Sequence, residues 1–163
     1  MVDKVPELET QLCFALYAAS RAVARTYAPV LEPFELTYPQ YYVMLALWES
    51  HGGLTVGALG RKLHIDNGTL TPLIKRMETK GLVLRTRDPA DERRVIVTVS
   101  AAGLRMKARA AGIQHRIKTC YQSDDATLIA VRDHLFAFVE VLSVAEDELA
   151  AAEDQHPARA VTA

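Results

Sequence analysis

Residues 54–100 read LTVGALGRKLHIDNGTLTPLIKRMETKGLVLRTRDPADERRVIVTVS, and this stretch decides the fold. Thr55 is a good cap for a short helix, VGALGRKL. HIDNG reads as a turn, with Asp66 or a neighbour capping the next helix. That helix runs to Lys80, with Leu70, Leu73, Ile74 and Met77 at helical spacing on its inner face and Pro72 near its front. Gly81 stops it. LVLRTR (82–87) and the alternating RVIVTV (94–99) read as two strands around a polar turn, DPADER. Two helices joined by a tight turn and followed by a hairpin make a helix-turn-helix with a two-stranded wing.

Working outward, Leu8, Leu12, Leu16, Ala19, Val23, Tyr27 and Val30 recur at steps of three or four, which predicts one long helix from Leu8 to about Leu31. Pro33 ends it. Thr37 and Pro39 open a second, very apolar helix over 38–50, which Gly52 and Gly53 stop. On the other side Ser100 caps a helix to about Tyr121, and Ser123 caps another from Asp124 to about Ala150. The Ala-rich polar tail from Ala151 is expected to be disordered. The chain is therefore mainly α with a small β-wing. Residues 37–100 form the winged helix-turn-helix, 1–36 and 101–150 supply helices apolar enough to build a dimer, and 151–163 are a tail.

The 163 residues suit one domain with its own core, and half of them are hydrophobic. The net charge of −1 hides an asymmetry. Residues 1–54 carry 3 Lys/Arg against 6 Asp/Glu, 55–95 carry 9 against 5, and 96–163 carry 7 against 9. A basic middle between acidic flanks suits a polyanion, although a solvated charged loop has the same composition. No stretch approaches the roughly 18 consecutive apolar residues of a membrane span, and no leader-like segment opens the chain, so a cytoplasmic protein is expected. The cysteines, Cys13 and Cys120, have no local Cys or His partner at ligand spacing, and His51, His64, His115, His134 and His156 are scattered. Neither a metal site nor a cofactor is expected.

The second helix of a helix-turn-helix lies in the major groove while the first braces it on the backbone. Here Asn67, Thr69 and Thr71 stand near the start of that helix, with Lys75 and Arg76 about a turn later. Short polar side chains beside Lys and Arg suit base edges and phosphates. Arg85 and Arg87 precede the hairpin turn, and Arg93 and Arg94 follow it. An arginine at a hairpin tip suits the strong negative potential of a narrow minor groove. Asp88, Asp91 and Glu92 stand beside these arginines, either to orient them or simply to solvate the turn.

Asp91-Glu92-Arg93, followed by alternating Val95, Val97 and Val99, resembles the wing signature of the MarR family of bacterial repressors. QLCFALYAASR (11–21), LTYPQYYVMLALWE (36–49) and IDNGTLTPLIKRME (65–78) resemble the organic hydroperoxide regulators of that family, the OhrR type, over nearly all of residues 8–143. Asn67 departs from the Ser usual there, which bears on base preference rather than on binding. The resemblance implies a homodimeric repressor of a pseudo-palindromic double-stranded DNA operator, with an organic hydroperoxide as oxidant and no enzymatic turnover.

On residues alone, Cys13 reads first as a small hydrophobe on an apolar helix, within about two turns of the helix start. Tyr17 is one turn away on the same helix. Tyr27 lies 14 residues on, about 21 Å along the axis, so it meets Cys13 only from another chain or after a sharp fold-back, as does Tyr38. The resemblance reverses the first reading. In OhrR-type dimers a reactive cysteine is hydrogen-bonded by two tyrosines of the partner subunit, at positions that match Tyr27 and Tyr38. One class of these regulators resolves the oxidised cysteine with small-molecule thiols; the other uses a second cysteine in the later helices of the partner subunit, and Cys120 is placed like that one. Two rivals stay open: a MarR-type repressor gated by a non-covalent aromatic ligand, with Leu12, Tyr17, Tyr38 and Trp48 as pocket candidates, and a thiol peroxidase using both cysteines.

Overall fold

A computed structural model describes residues 7–50 and 52–155. They divide into two compact units, the first ending at Cys120 and the second starting at Tyr121. His51 and His156 lie outside the described residues.

The first unit opens with a 3-10 turn, Leu8–Thr10, before α1, Leu12–Leu31. The long helix expected from Leu8 therefore starts later. The Thr10 hydroxyl and N–H both donate to the Glu7 carbonyl, at 2.7 and 3.2 Å, which closes the turn. Gln11 is then extended and precedes the first α-helical residue. Cys13 thereby becomes the second residue of α1, in the first turn rather than two turns in. The far end of α1 is buried through Tyr27, Val30 and Leu31, while Leu12 and Tyr17 stay exposed.

A second 3-10 turn, Glu32–Phe34, leads to α2, Tyr38–Glu49. The Thr37 N–H donates to Gln40 Oε1 at 3.0 Å and holds the helix start. Gln40, Tyr41, Val43, Met44, Ala46 and Leu47 are all buried. A helix apolar on nearly every side must be enclosed. α2 is enclosed by α1 together with α3 (Val56–Leu63), α4 (Asn67–Thr79), α5 (Ala101–Ala110) and a sheet strand.

The sheet has three antiparallel strands rather than the two expected: β1 (Leu54–Thr55), β2 (Val83–Asp88) and β3 (Asp91–Val99), in the order β1-β3-β2. β1 is two residues long and pairs Leu54 with Val97, a contact that no local pattern announces. β3 begins at Asp91, three residues before the strand read from alternation, so the loop shrinks to Pro89 and Ala90. The Ala90 N–H donates to Asp88 Oδ1 at 2.9 Å, and the register slips between Arg87 and Asp88.

Ser100 caps α5 as expected. Its hydroxyl accepts from the Gly103 N–H at 3.1 Å and donates to the Gly81 carbonyl at 2.5 Å. The single helix expected over 101–121 is broken at Ala111 and Gly112 into α5 and α6, Ile113–Lys118. Ile113 and Ile117 are buried.

The second unit carries α7, Asp125–Gln155. Asp124 caps it, not Ser123: Oδ1 accepts from the Thr127 N–H at 2.8 Å and Oδ2 from the Thr127 hydroxyl at 3.0 Å. α7 runs to Gln155, into the stretch from Ala151 that was expected to be disordered, and residues 156–163 lie outside the described residues. Ile129, Val131, Leu135, Phe136, Val141, Leu142, Val144 and Leu149 are all exposed along it. No helix of the described residues is long and apolar enough to cross a membrane.

Gly103 joins α5 to the rest. The Trp48 indole N–H donates to its carbonyl at 3.1 Å, and a Cβ at this position would lie 2.3 Å from the Leu82 carbonyl oxygen. Backbone, not a pliable side chain, stands in the way. Gly103→Ala is therefore expected to cost about 1–3 kcal/mol by overpacking. The melting midpoint should fall by roughly 3–10 °C in calorimetry. An unchanged midpoint would show that α5 shifts at no cost.

Candidate nucleic-acid interface and thiol site

Local chemistry fixes the angle between α3 and α4. His64 takes the left-handed conformation, φ 52°, at the end of α3, and the Ile65 N–H donates to the Gly60 carbonyl at 3.0 Å. A Cβ on Gly60 would lie 2.8 Å from the Ile65 carbonyl oxygen, so only glycine fits the bend as it stands. Asp66 Oδ1 then accepts from the Thr69 N–H at 2.8 Å. Hydrogen bonds from Thr69 hold the Asp66 carboxyl below its ordinary 3.8, so the cap stays charged at neutral pH. Leu70, Leu73, Ile74 and Met77 are buried as expected, which leaves the opposite face of α4 to solvent. Asn67, Thr69, Lys75 and Arg76 are exposed on the helix, and Thr71 is half-buried.

The wing stands beside this helix. A cleft of about 590 Å³ is walled by Thr55, Gly57 and Arg61 around α3, by Asn67 and Thr71 on α4, and by Arg85, Arg93 and Arg94 on the wing. A second cleft, about 420 Å³, is walled by Arg85, Thr86, Arg87, Arg93 and Val95. Five arginines thus line two concave surfaces. Low-dielectric walls around charges of one sign focus the potential outward and suit a phosphate backbone.

Each arginine is held differently. The Arg93 side chain is 91% exposed, yet its Nε donates to Asp91 Oδ1 at 3.1 Å and its Nη2 to Oδ2 at 3.4 Å. The Arg93 N–H also reaches Oδ1, at 3.1 Å. These bonds, with the Arg94 charge, hold the Asp91 carboxyl below its ordinary 3.8. A carboxyl with a lowered value keeps its charge as pH falls toward that value, so the pairing of Asp91 with Arg93 persists from neutral into mildly acid solution. Arg94 Nε lies 3.7 Å from Asp88 Oδ2, and Arg87 Nη1 donates to the Glu92 carbonyl at 2.8 Å.

Of the residues expected to read DNA, Asn67, Thr71, Arg85 and Arg93 share the larger cleft, while Thr69, Lys75 and Arg76 are not among its walls. Arg85 is half-buried, with its Nε donating to Glu78 Oε2 at 2.8 Å. Sequence reading missed Arg61. Only its basic charge on the bracing helix hinted at it, because packing alone turns it toward the wing.

The tyrosines come together at the other end of the first unit. The Tyr27 and Tyr38 rings lie 4.8 Å apart, and the Tyr38 and Tyr42 rings also 4.8 Å apart. The Tyr38 and Tyr42 hydroxyls share a hydrogen bond of 2.8 Å. Gln114 Nε2 donates to the Tyr41 hydroxyl at 3.2 Å. Burial pushes the Tyr41 phenol up, partly opposed by that bond, so it stays neutral. Cys13 and Cys120 are free thiols, both exposed. Cys120 lies just past α6, with its Sγ donating to the Arg116 carbonyl at 3.4 Å. Cys13 is about 21 Å along α1 from Tyr27, so one protomer pairs the two tyrosines without bringing Cys13 to them. Among the ligand-pocket candidates, Leu12 and Tyr17 are exposed on α1, and Trp48 lines a separate cleft of about 390 Å³.

The braced helix, its tight turn and the arginine-lined wing define a winged helix-turn-helix DNA-binding protein. The MarR family profile matches residues 36–95. The organic hydroperoxide resistance transcriptional regulator of Bacillus subtilis is 41% identical over 136 residues, covering 83% of this chain and 92% of that one. Two solved structures are similar over most of the chain. Reduced AbfR bound to DNA has a TM-score of 0.67 at 35% identity, covering 83% of this chain and 93% of that one. Overoxidized AbfR bound to DNA has a TM-score of 0.68 at 36% identity, covering 83% and 94%. The chain belongs to the MarR family. It is a DNA-binding transcriptional regulator, not an enzyme.

Arg93→Ala should weaken operator binding about tenfold or more, through loss of a groove contact at the wing tip. Lys75→Ala should weaken binding to every sequence alike and lower the slope of log affinity against log salt by about 1. Fluorescence anisotropy across a salt series separates the two. Unchanged affinity in both variants at every salt concentration would contradict the assignment of α4 and the wing.

Proposed function

We propose that this protein is a dimeric repressor that holds a pseudo-palindromic operator while Cys13 is reduced and releases it once an organic hydroperoxide has oxidised Cys13. The observation that carries this reading is the position of Cys13. It is exposed in the first turn of α1, in a chain similar over most of its length to a regulator of organic hydroperoxide resistance. The first turn of a helix also carries backbone N–H groups that have no partner within the helix. The exposed apolar residues of α7 give a second copy a surface to cover. Tyr27 and Tyr38, already packed together, are the groups a second copy would bring to Cys13 as hydrogen-bond donors.

The chemistry runs in two steps. The Cys13 sulfur attacks the outer oxygen of the hydroperoxide, the O–O bond breaks, and Cys13 sulfenic acid and an alcohol result. The thiol of Cys120 in the partner subunit then attacks that sulfur and expels water, leaving an intersubunit disulfide. An overoxidized form of AbfR is known bound to DNA. Here the disulfide is the step that moves helices. Pulling the start of α1 toward the end of α6 rotates one half of the dimer against the other. The two recognition helices, which must stand about one DNA turn apart, then lose register.

Cys13→Ser should bind the operator as tightly as wild type and stay bound when one equivalent of organic hydroperoxide is added, because a hydroxyl forms no sulfenic acid. Cys120→Ser should lose its thiol titre at Cys13 but give no disulfide-linked dimer on a non-reducing gel. Tyr27→Phe and Tyr38→Phe should slow the oxidation. If Cys13→Ser leaves DNA as readily as wild type, the thiol is not the sensor and ligand gating takes its place.

A further inference from the structure

We propose that Glu78 and Arg85 form a strut that fixes the wing's angle to the recognition helix, which makes Glu78 a positioning residue for DNA binding. The proposal rests on α4 and the wing being the DNA-contacting elements. Among the described ion pairs, those of Arg93 with Asp91 and of Arg94 with Asp88 stay within the hairpin. The pair of Arg85 Nε with Glu78 Oε2, at 2.8 Å, instead ties β2 to the last turn of α4.

The connection it spans is short, residues 80–82. Gly81 sits there with φ +70° and is tied at the helix end, its N–H donating to the Glu78 carbonyl at 2.8 Å and its carbonyl accepting from the Ser100 hydroxyl, whereas the pair of Arg85 with Glu78 takes hold three residues further along the strand. Arg85 is opposite Val97 in the β2–β3 ladder, and Val97 is fully buried at the centre of the sheet. The strut thus grips the body of the wing rather than its tip. Its two side chains are 28% and 36% exposed, far less than the 91% of Arg93, so the pair is partly shielded from salt. The angle it sets has a direct geometric consequence. Asn67 and Thr71 on α4 form one wall of the larger cleft, and Arg85, Arg93 and Arg94 on the wing form another. A wing that tilts changes the gap between them, so the helix and the wing tip no longer reach their grooves together.

The strut predicts a sign that charge alone does not. Removing a carboxylate near a polyanion should strengthen binding. If Glu78 positions the wing, Glu78→Gln should instead weaken operator binding, by about fivefold. Arg85→Gln should weaken it at least as much, and the double variant should be no worse than Arg85→Gln alone, because the two groups act as one unit. The exchanged pair, Glu78→Arg with Arg85→Glu, should recover affinity to within about twofold of wild type. Hydroxyl-radical footprints of Glu78→Gln should lose protection in the flanking minor grooves and keep it in the major grooves. Melting midpoints should stay close to wild type, since a half-exposed pair adds little stability. Arg93→Ala serves as the control in the same assay. Equal or tighter binding by Glu78→Gln, or losses that add in the double variant, would overturn the strut while Arg93→Ala still weakens binding. If Arg93→Ala also has no effect, the interface assignment falls and the strut falls with it.

Discussion

Twelve residues, Tyr38–Glu49, form a helix with almost no side left for water. Burying such a helix is the strongest demand this sequence makes, and the rest of the first unit is arranged to meet it. Tyr41, Val43, Met44 and Leu47 are at or below 1% exposure. α1, α3, α4, α5 and β3 all pack against it. Hydrophobic burial has no direction of its own, so polar contacts at the helix ends choose the arrangement. At the start, Gln40 returns to the Thr37 N–H, and Tyr38 joins the tyrosine group. At the end, Trp48 donates to the Gly103 carbonyl and its own carbonyl accepts from Lys107 at 2.9 Å. One rigid helix therefore runs from the tyrosines to the base of the reading head.

That arrangement gives the proposed switch a mechanical basis. A close-packed core transmits displacement rather than absorbing it. α4 meets α2 directly, and Lys80 at its end donates to the Glu35 carbonyl in the link before α2 at 2.5 Å. Motion imposed on α1 by a bond to another chain has a short route to α4. The exposed apolar residues of α7 point the same way: one chain leaves them to water, and a second copy can cover them.

Much of this was legible in the sequence, and the misses share a cause. The apolar faces of α4 and β3, the caps at Thr55, Asp66 and Ser100, and the role of Gly81 are local facts, readable from spacing and side-chain chemistry. β1 was not legible, since two residues have no period and Leu54–Thr55 is a strand only because β3 lies beside it. The extra turn at Leu8–Thr10 hid behind a helical spacing that continues through it. The break at Ala111–Gly112 was equally silent, because Ile113 and Ile117 keep the apolar step across it. Among the walls of the larger cleft, Asn67, Thr71, Arg85 and Arg93 were named from residue type and position. Arg61 and Glu78 were not, because only tertiary packing turns them toward the wing.

The central claim is that oxidation state sets operator occupancy. The most direct measurement follows the wild-type protein on a labelled operator through a full cycle: reduced, then with one equivalent of organic hydroperoxide per protomer, then with a thiol reductant. The account predicts occupancy that falls after the oxidant, in step with the appearance of a reducible covalent dimer, and returns with the reductant. Occupancy that stays constant while the thiols are consumed would contradict it.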